Sequence, residues 1–488
     1  MRSTDLVVGV EWNEMEIADS ADADIAGLTA DSRKVEPGYL FAAFEGAAAD
    51  GRAFIPDALA KGAAGVLTHT GTPRDDASAI WLTHDQPRRA YAQLAARLYA
   101  PQPENIAAVT GTNGKSSVAE FTRQILAHVG LKAASLGTLG VIGPDGGGGV
   151  SLTTPDPVDL HKTLCRLAGD GISHVALEAS SHGLDQFRLD GGRISAAAFT
   201  NLSRDHLDYH PDMEAYFAAK ARLFTELLAS GGTAVLNADD AHGQALIETC
   251  RGQELAVISY GWKGEDIRLG LAHPAAHGQT LSLSFDGDDA EISLPLIGDF
   301  QAANALCALG LARAISDVSI ADGLAALEKL TGAPGRLERA AQLANGAAVY
   351  VDYAHTPDAL QTVLTSLRPH ASGRLALVFG CGGDRDAGKR PQMGEIAARL
   401  ADQVIVTDDN PRTEAAAEIR RQILDACTGA REIADRETAI FEAVSQLRAG
   451  DLLVVAGKGH EQGQIVGSDV LPFDDADVSR RAAKEAGA

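Results

Sequence analysis

One stretch constrains this chain more than any other: Val109-Thr110-Gly111-Thr112-Asn113-Gly114-Lys115-Ser116-Ser117. Residues 106–110 read as a short buried strand, and 117–129 as a helix stopped by Gly130. A strand, a glycine turn, Lys-Ser and a helix form the arrangement that holds nucleotide phosphates. Backbone N–H groups at the turn and the helix N-terminus face the anion. The lysine supplies a point charge, and the serine hydroxyl can ligate Mg²⁺. The match is not the full eight-position loop, because Val109 stands where the first glycine belongs. Gly-Lys-Ser alone also occurs by chance, so a plain strand–helix turn is the competing reading. The flanking strand and helix favour phosphate binding by Gly111, Thr112, Asn113, Gly114, Lys115, Ser116 and Ser117.

At 488 residues the chain has room for about three domains, each with its own core. No apolar run approaches the roughly 20 residues of a membrane span. Residues 1–10 lack a signal peptide's basic start and long apolar stretch. The cysteines at 165, 250, 307, 381 and 427 form no CxxC pair, which fits reduced thiols and a cytoplasmic location. The net charge of −24 argues against nucleic acid and anionic membrane as partners. An anionic substrate would then need a local positive patch.

Residues 1–103 form a first unit. Its marker is Asp31-Ser32-Arg33 ahead of a strand over 39–44. That triplet is either a solvated turn or an anion clamp of the Ser32 hydroxyl and the Arg33 fork; the local sequence favours the turn. Residues 46–51 form a small-residue loop that lets backbone approach a ligand. Pro101-Gln102-Pro103 is a stiff connector and a boundary.

Residues 104–331 form a second unit that alternates strand-like and helix-like stretches, as in a parallel sheet covered by helices. Residues 146–149 read as a flexible glycine loop, followed by Thr153 and Thr154, whose hydroxyls suit an anion. A buried strand over 174–178 ends in Glu178. Ligands bind at the C-terminal ends of such strands, so Glu178 is either a Mg²⁺ ligand or a solvated carboxylate. The next strand runs into Asn201-Leu202-Ser203-Arg204-Asp205-His206. A lone histidine there is more often structural than a ligand.

The helix after Pro211 carries an anomaly. Its apolar stripe, Met213, Tyr216, Phe217, Leu223, Phe224 and Leu227, passes through Lys220. A lysine on a buried face either snorkels or has a lowered pKa in an active site. A neutral amine there could take up CO₂ as a carbamate, turning a cation into a metal-binding anion. Farther on, Asn304 either contacts a nucleotide or packs, and Arg336 follows the break at 332–335.

Residues 332–488 form a third, Rossmann-like α/β unit. Residues 348–357 read as a strand ending in polar groups, and strands over 375–380, 403–407 and 452–456 each empty into a polar or glycine-rich loop. These loops carry Arg385, Asp409-Asn410-Pro411-Arg412, and Gly457 to Glu461. Arg385 and Arg412 can each clamp a carboxylate, and Glu461 can take an ammonium. Together they describe a pocket for a zwitterionic amino acid. A phosphate loop, metal ligands and such a pocket suggest ATP-driven amide formation through an acyl phosphate.

Gly111-Thr112-Asn113-Gly114-Lys115-Ser116, Glu178-Ala179-Ser180-Ser181-His182-Gly183, Asn201 to Asp208, Asp352-Tyr353-Ala354-His355-Thr356-Pro357 and Gly380-Cys381-Gly382-Gly383-Asp384-Arg385-Asp386 occur in this order. In this the chain resembles the Mur ligases of peptidoglycan synthesis, over essentially its whole length. The resemblance implies an α/β fold of three domains: an N-terminal uridine-binding domain, a central P-loop-type ATPase domain with a mostly parallel sheet, and a C-terminal Rossmann-like domain. It implies addition of meso-2,6-diaminopimelate to the D-glutamate of UDP-N-acetylmuramoyl-L-alanyl-D-glutamate, with ATP and Mg²⁺, by a cytoplasmic monomer. Asp409-Asn410-Pro411-Arg412 resembles the motif of members that use diaminopimelate, whose extra carboxylate Arg412 can pair.

Roles follow from the resemblance. Lys115 and Ser116 would hold ATP phosphates and Mg²⁺, with Glu178 and His206 as metal ligands and Lys220 as a carbamate. Asn304, Arg336 and His355 would meet the nucleotide. Ala30, Ser32 and the loop Ala47, Ala48, Ala49 would hold the uridine end. Thr153, Thr154, Ser180, Gln186 and Arg188 would hold the rest of that substrate. Arg385, Asp409, Asn410, Pro411, Arg412, Gly457 and Glu461 would hold diaminopimelate. There are departures. Lys-Ser-Ser replaces the commoner Lys-Thr-Thr, which keeps a hydroxyl; Leu152 stands where relatives often have Asn; and the alanine loop can bind only through backbone. A folylpolyglutamate synthetase would share the phosphate loop and lysine but not Asp-Asn-Pro-Arg. A nucleotide switch would need a guanine-reading Asn-Lys-x-Asp, which the chain lacks.

Overall fold

The computed structural model describes residues 1–10, 12–16, 23–46, 49–74, 79–144, 146–148, 152–285 and 287–487. The chain divides into two compact units. The first comprises Met1–Lys115, Leu126–Ile258 and Gly310–Val318; the second comprises Ser116–Ile125, Ser259–Leu309 and Ser319–Ala488.

The first unit holds a small sheet of Gly27–Thr29, Tyr39–Ala43, Gly65–Thr68 and Ile80–Thr83, parallel in that order, with Glu14–Glu16 antiparallel on its edge. Phe41 and Trp81 are fully buried on it. A larger sheet orders Leu228–Asn237, Ile194–Phe199, Asn105–Thr110, His174–Glu178 and Ala133–Gly137, all parallel. These strands are apolar almost throughout, because a parallel sheet is covered on both faces. Their parallel register brings Thr110, Glu178 and Phe199 to one edge, where loops can build a site. Gly146–Gly148, expected as loop, instead pairs antiparallel with Gly140–Gly143; glycines lack side chains but keep the backbone groups a ladder needs. Residue 149 lies outside the described residues.

The connector at 101–103 is anchored. Gln102 donates to Gly191 O at 3.0 Å and accepts from Arg193 N at 3.2 Å. Arg89 and Arg222 converge on the buried Asp190 at 3.0 and 2.7 Å.

The second unit is built on a sheet ordered Glu338–Gln342, Ala348–Asp352, Leu452–Ala456, Leu375–Phe379, Gln403–Val406 and Arg431–Glu432. Only the first strand is antiparallel. The unit also carries an antiparallel meander of Ile267–Ala275, Gly278–Phe285 and Asp288–Leu294. The sequence reading passed over this meander, although Leu281, Leu283 and Phe285 are buried at the spacing of two that marks a strand. A hairpin of Gly463–Val466 and Asp469–Pro472 follows.

Arg436 and Asp475 form a fully buried ion pair at 2.7 Å in this unit, and Arg436 also donates to Ala456 O at 2.9 Å. Arg436→Ala strands a buried carboxylate, so denaturant unfolding should show a loss of about 3–5 kcal/mol. A loss below about 1 kcal/mol would mean that water already reaches the pair.

Candidate active site

The phosphate loop is pinned from the neighbouring strand end. Gly111 has φ +148°, and a Cβ there would collide with the Thr200 hydroxyl, so only glycine fits. Thr112 N donates to Asn201 O at 2.9 Å, and Asn113 N to Asn201 Oδ1 at 3.0 Å. Thr200 Oγ1 donates to Asn113 O at 2.6 Å. Lys115 opens the helix Lys115–His128, and its Nζ donates to Gly111 O and Thr112 O at 3.0 and 2.8 Å. Ser116 and Ser117 follow in the first turn, both buried.

Lys220 does not snorkel. It is 1% exposed in the helix Met213–Arg222, which Asp212 caps and which widens into a π-turn over Leu223–Leu227. Its Nζ donates to Gly111 O at 2.8 Å, the carbonyl that also receives Lys115. It also stands 4.4 Å over the Tyr216 ring, whose hydroxyl is 3.2 Å from Thr112 Oγ1. Burial, reinforced by the charge of Lys115, pushes the Lys220 amine well below the ordinary lysine pKa.

Glu178 is 2% exposed rather than solvated. Its carboxylate accepts from Thr138 N at 2.8 Å and Thr138 Oγ1 at 3.2 Å, lying where a side chain on Gly137 would otherwise be. His206 is held at φ +54°, in T-shaped contact with His182 at 5.0 Å and with Tyr216 at 6.0 Å. Tyr216 thus stands between His206 and Lys220. Among the described residues, no three His, Cys, Asp or Glu side chains gather on one point.

Thr153, Thr154, Ser180, Gln186 and Arg188 fall into one linked group with Thr138 and Glu178. Thr138 Oγ1 is 2.9 Å from Thr153 Oγ1. Thr154 Oγ1 donates to Glu178 O at 2.9 Å and accepts from Ser180 Oγ at 3.0 Å. Arg188 donates to Thr154 O and Gln186 Oε1 at 2.7 and 2.8 Å. Arg188 and Gln186 line a pocket of about 160 Å³ with Leu152, Asp156, Phe44, Arg88 and Tyr91. The sequence reading missed Phe44, Arg88 and Tyr91. They stand roughly 60 to 140 positions from their partners, and no local pattern marks them.

At the uridine end, Ala47 and Ala48 lie outside the described residues, and Ala49 is exposed. Ala30 packs on the small sheet's core. Ser32 opens a 3₁₀ turn whose first carbonyl accepts from Lys61 Nζ at 2.9 Å. The Arg33 guanidinium is bound bidentately to Asp31 at 2.9 and 2.8 Å.

In the second unit, Asn304, Arg336 and His355 come together. Asn304 donates to Gln301 Oε1 at 3.0 Å, and Gln301 donates to Arg336 O at 3.2 Å. The Arg336 guanidinium lies 4.6 Å over the Tyr353 ring, and His355 Nδ1 is 2.8 Å from Tyr353 O. Arg336 Nε is buried with no acceptor among the described residues.

The expected amino-acid residues also gather. Asn410 Nδ2 donates to Glu461 Oε2 at 2.8 Å. A side chain on Gly457 would meet the Asp409 carboxylate. Arg412, at φ +51°, is held by the hairpin: its N donates to Ile465 O at 3.1 Å, and its O accepts from Gly467 N at 2.7 Å. Its Nη1 donates to Gly383 O at 2.8 Å. Arg385 is exposed on the facing loop. The residue missed here is Lys458, fully buried, which donates to Asn410 Oδ1 at 2.9 Å, Gly463 O at 2.6 Å and Glu461 Oε2 at 3.3 Å. The Gly-Lys-Gly spacing around it was the available signal.

Residues 109–312 match the Mur ligase middle domain, 335–459 the Mur ligase glutamate ligase domain, and 24–99 the Mur ligase family catalytic domain. The UDP-N-acetylmuramoyl-L-alanyl-D-glutamate–2,6-diaminopimelate ligase of Rhizobium meliloti (strain 1021) is 53% identical over 485 residues, 99% of each chain. A solved structure of a ligase of that name superposes with TM-score 0.74 at 34% identity over 99% of both chains. Mycobacterium tuberculosis folylpolyglutamate synthase, complexed with ADP and AMPPCP, shares the fold at TM-score 0.60 and 19% identity, over 76% of this chain and 92% of that one. Among the described residues, no helix is long and apolar enough to cross a membrane.

Proposed function

This chain belongs to the Mur ligase family, and on that premise we propose how its residues share the work of adding 2,6-diaminopimelate to UDP-N-acetylmuramoyl-L-alanyl-D-glutamate. The reaction is ATP-dependent amide formation. A carboxylate oxygen of the D-glutamate attacks the γ-phosphorus, and ADP leaves. The diaminopimelate amine then attacks the acyl carbon of the acyl phosphate, phosphate leaves, and the nitrogen gives up a proton.

The observation that carries this reading is the Gly111 carbonyl shared by Lys115 and Lys220. It puts a second lysine, desolvated and low in pKa, on the phosphate loop itself. Lys115 and the loop N–H groups hold the triphosphate, and Asn304, Arg336 and His355 meet the nucleotide. A Lys220 carbamate, Ser116 and Glu178 supply oxygen donors, the kind that Mg²⁺ takes, with His206 as a further ligand. The carbamate matters because it would put anionic oxygens at the phosphate loop, which the amine itself lacks. When bound, Mg²⁺ neutralises triphosphate charge. Ala30, Ser32 and the loop at 47–49 hold the uridine end. Thr153, Thr154, Ser180, Gln186 and Arg188 hold the muramoyl dipeptide. Arg385 and the run Asp409 to Arg412 hold the diaminopimelate carboxylates, Glu461 its ammonium, and Gly457 lets the backbone approach. The domains divide at 103 and 331, and the enzyme is a cytoplasmic monomer acting on the meso isomer.

A folate-type ligase is the second reading, and Asp409-Asn410-Pro411-Arg412 tells against it. Hydroxylamine in place of diaminopimelate tests the acyl phosphate. With ATP, Mg²⁺ and the UDP-substrate, it should yield one hydroxamate per phosphate released. Tripeptide formation with diaminopimelate, but no hydroxamate when hydroxylamine replaces it, would remove that intermediate.

A further inference from the structure

A chain of charge −24 that binds a UDP-linked anion needs positive charge placed where the anion lies. The pocket of about 160 Å³ in the first unit carries two guanidinium groups, Arg88 and Arg188. Arg88 is set rigidly. Its guanidinium lies 4.3 Å over the Phe44 ring and donates to Glu45 O at 2.7 Å. Its neighbour Arg89 is tied to the buried Asp190 at 3.0 Å, which fixes the helix Pro87–Leu98. Neither Arg88 nor Arg188 has a salt bridge to a described carboxylate. The pocket's one acid, Asp156, attracts both guanidinium groups through space, as Asp185 attracts Arg88, but forms an ion pair with neither; its Oδ1 accepts from Tyr91 Oη at 3.2 Å and from Val158 N at 3.0 Å, and one carboxylate between two guanidinium groups leaves the pocket net positive. Two half-buried guanidinium groups with no ion pair to a described carboxylate favour an anion between them.

We propose that Arg88 binds the diphosphate of the UDP-linked substrate, with Arg188 across the pocket. The placement follows from the order of groups in that substrate, and so rests on the ligase reading above. Arg88 is bonded at Phe44 and Glu45, which lead into the loop assigned to the uridine end. Gln186 and Arg188 are assigned to the muramoyl end. The group that joins a uridine to a muramoyl sugar is a diphosphate. A guanidinium offers it paired N–H donors at the spacing of two phosphoryl oxygens.

Titration calorimetry with UDP, uridine and the full UDP-substrate tests this on Arg88→Gln and Arg88→Lys, alongside the KM for ATP. Arg88→Gln should weaken UDP and the full substrate by roughly 10- to 100-fold, the effect of losing a charged hydrogen bond. Uridine binding and the ATP KM should move less than about two-fold. Arg88→Lys should fall between, keeping the charge without the fork, and the salt dependence of UDP binding should lessen in Arg88→Gln. Equal weakening of uridine and UDP would overturn the proposal, making Arg88 a brace for the uridine loop. Unchanged UDP affinity in both variants would overturn it too. Wild-type protein that binds neither UDP nor the full substrate would instead overturn the ligase reading beneath it.

Discussion

Lys220→Ala lowers turnover by at least roughly 100-fold while the fold survives, the scale of losing an electrostatic catalytic group. The fold should survive because the buried amine's only described acceptor is a backbone carbonyl that also receives Lys115. Removing it relieves desolvation rather than stranding a partner, so thermal unfolding should shift little. The catalytic loss should be large because the side chain stands on the phosphate loop. Its lowered pKa supplies a neutral amine whose lone pair attacks the carbon of CO₂; the nitrogen gives up a proton as the N–C bond forms, and the resulting carbamate is a metal-binding anion in place of a cation. Lys220→Arg separates charge from chemistry: it keeps a cation but cannot form the carbamate, so it should be as inactive as Lys220→Ala. Full activity in either variant would leave Lys220 as packing.

Arg412→Ala raises the KM for diaminopimelate by about 100-fold and changes the KM for ATP by less than about three-fold, as expected when one bidentate carboxylate clamp is lost. The side chain is aimed by its backbone. A positive φ and two hairpin hydrogen bonds, to Ile465 O and from Gly467 N, leave the guanidinium little freedom. Lys458 should act one step behind it. It holds Asn410 and Glu461, so Lys458→Met should raise the KM for diaminopimelate and leave that for ATP in place. Equal losses for both substrates in Arg412→Ala would mean the residue only braces the loop at Gly383.

What could be read in advance was local. The phosphate loop is a contiguous strand–turn–helix, and Lys220 betrayed itself by interrupting an apolar stripe at helical spacing. Four strands of the second unit, each a run of apolar residues ending in polar ones, lie inside the stretches expected, the first ending at Asp352 rather than Pro357 because the polar residues beyond it leave the ladder. The 3₁₀ turn at Ser32–Lys34 is local in the same way, because a carboxylate two residues before an arginine takes its fork. What stayed hidden depends on residues far apart in the chain. Arg88 looks like any helix-surface arginine until Phe44 and Arg188 stand beside it. The glycine strand at Gly146–Gly148 has no side-chain pattern to read, and the buried state of Lys458 exists only once the hairpin closes over Asn410.

The most direct measurement is phosphate release from ATP and Mg²⁺ with UDP-N-acetylmuramoyl-L-alanyl-D-glutamate, adding meso-diaminopimelate, L-lysine or nothing. Release with diaminopimelate alone is the predicted result, and it carries both the ligation and the carboxylate-reading role of Arg412. Release with lysine instead would contradict the amino-acid pocket described here, and no release with either would contradict the ligase account itself.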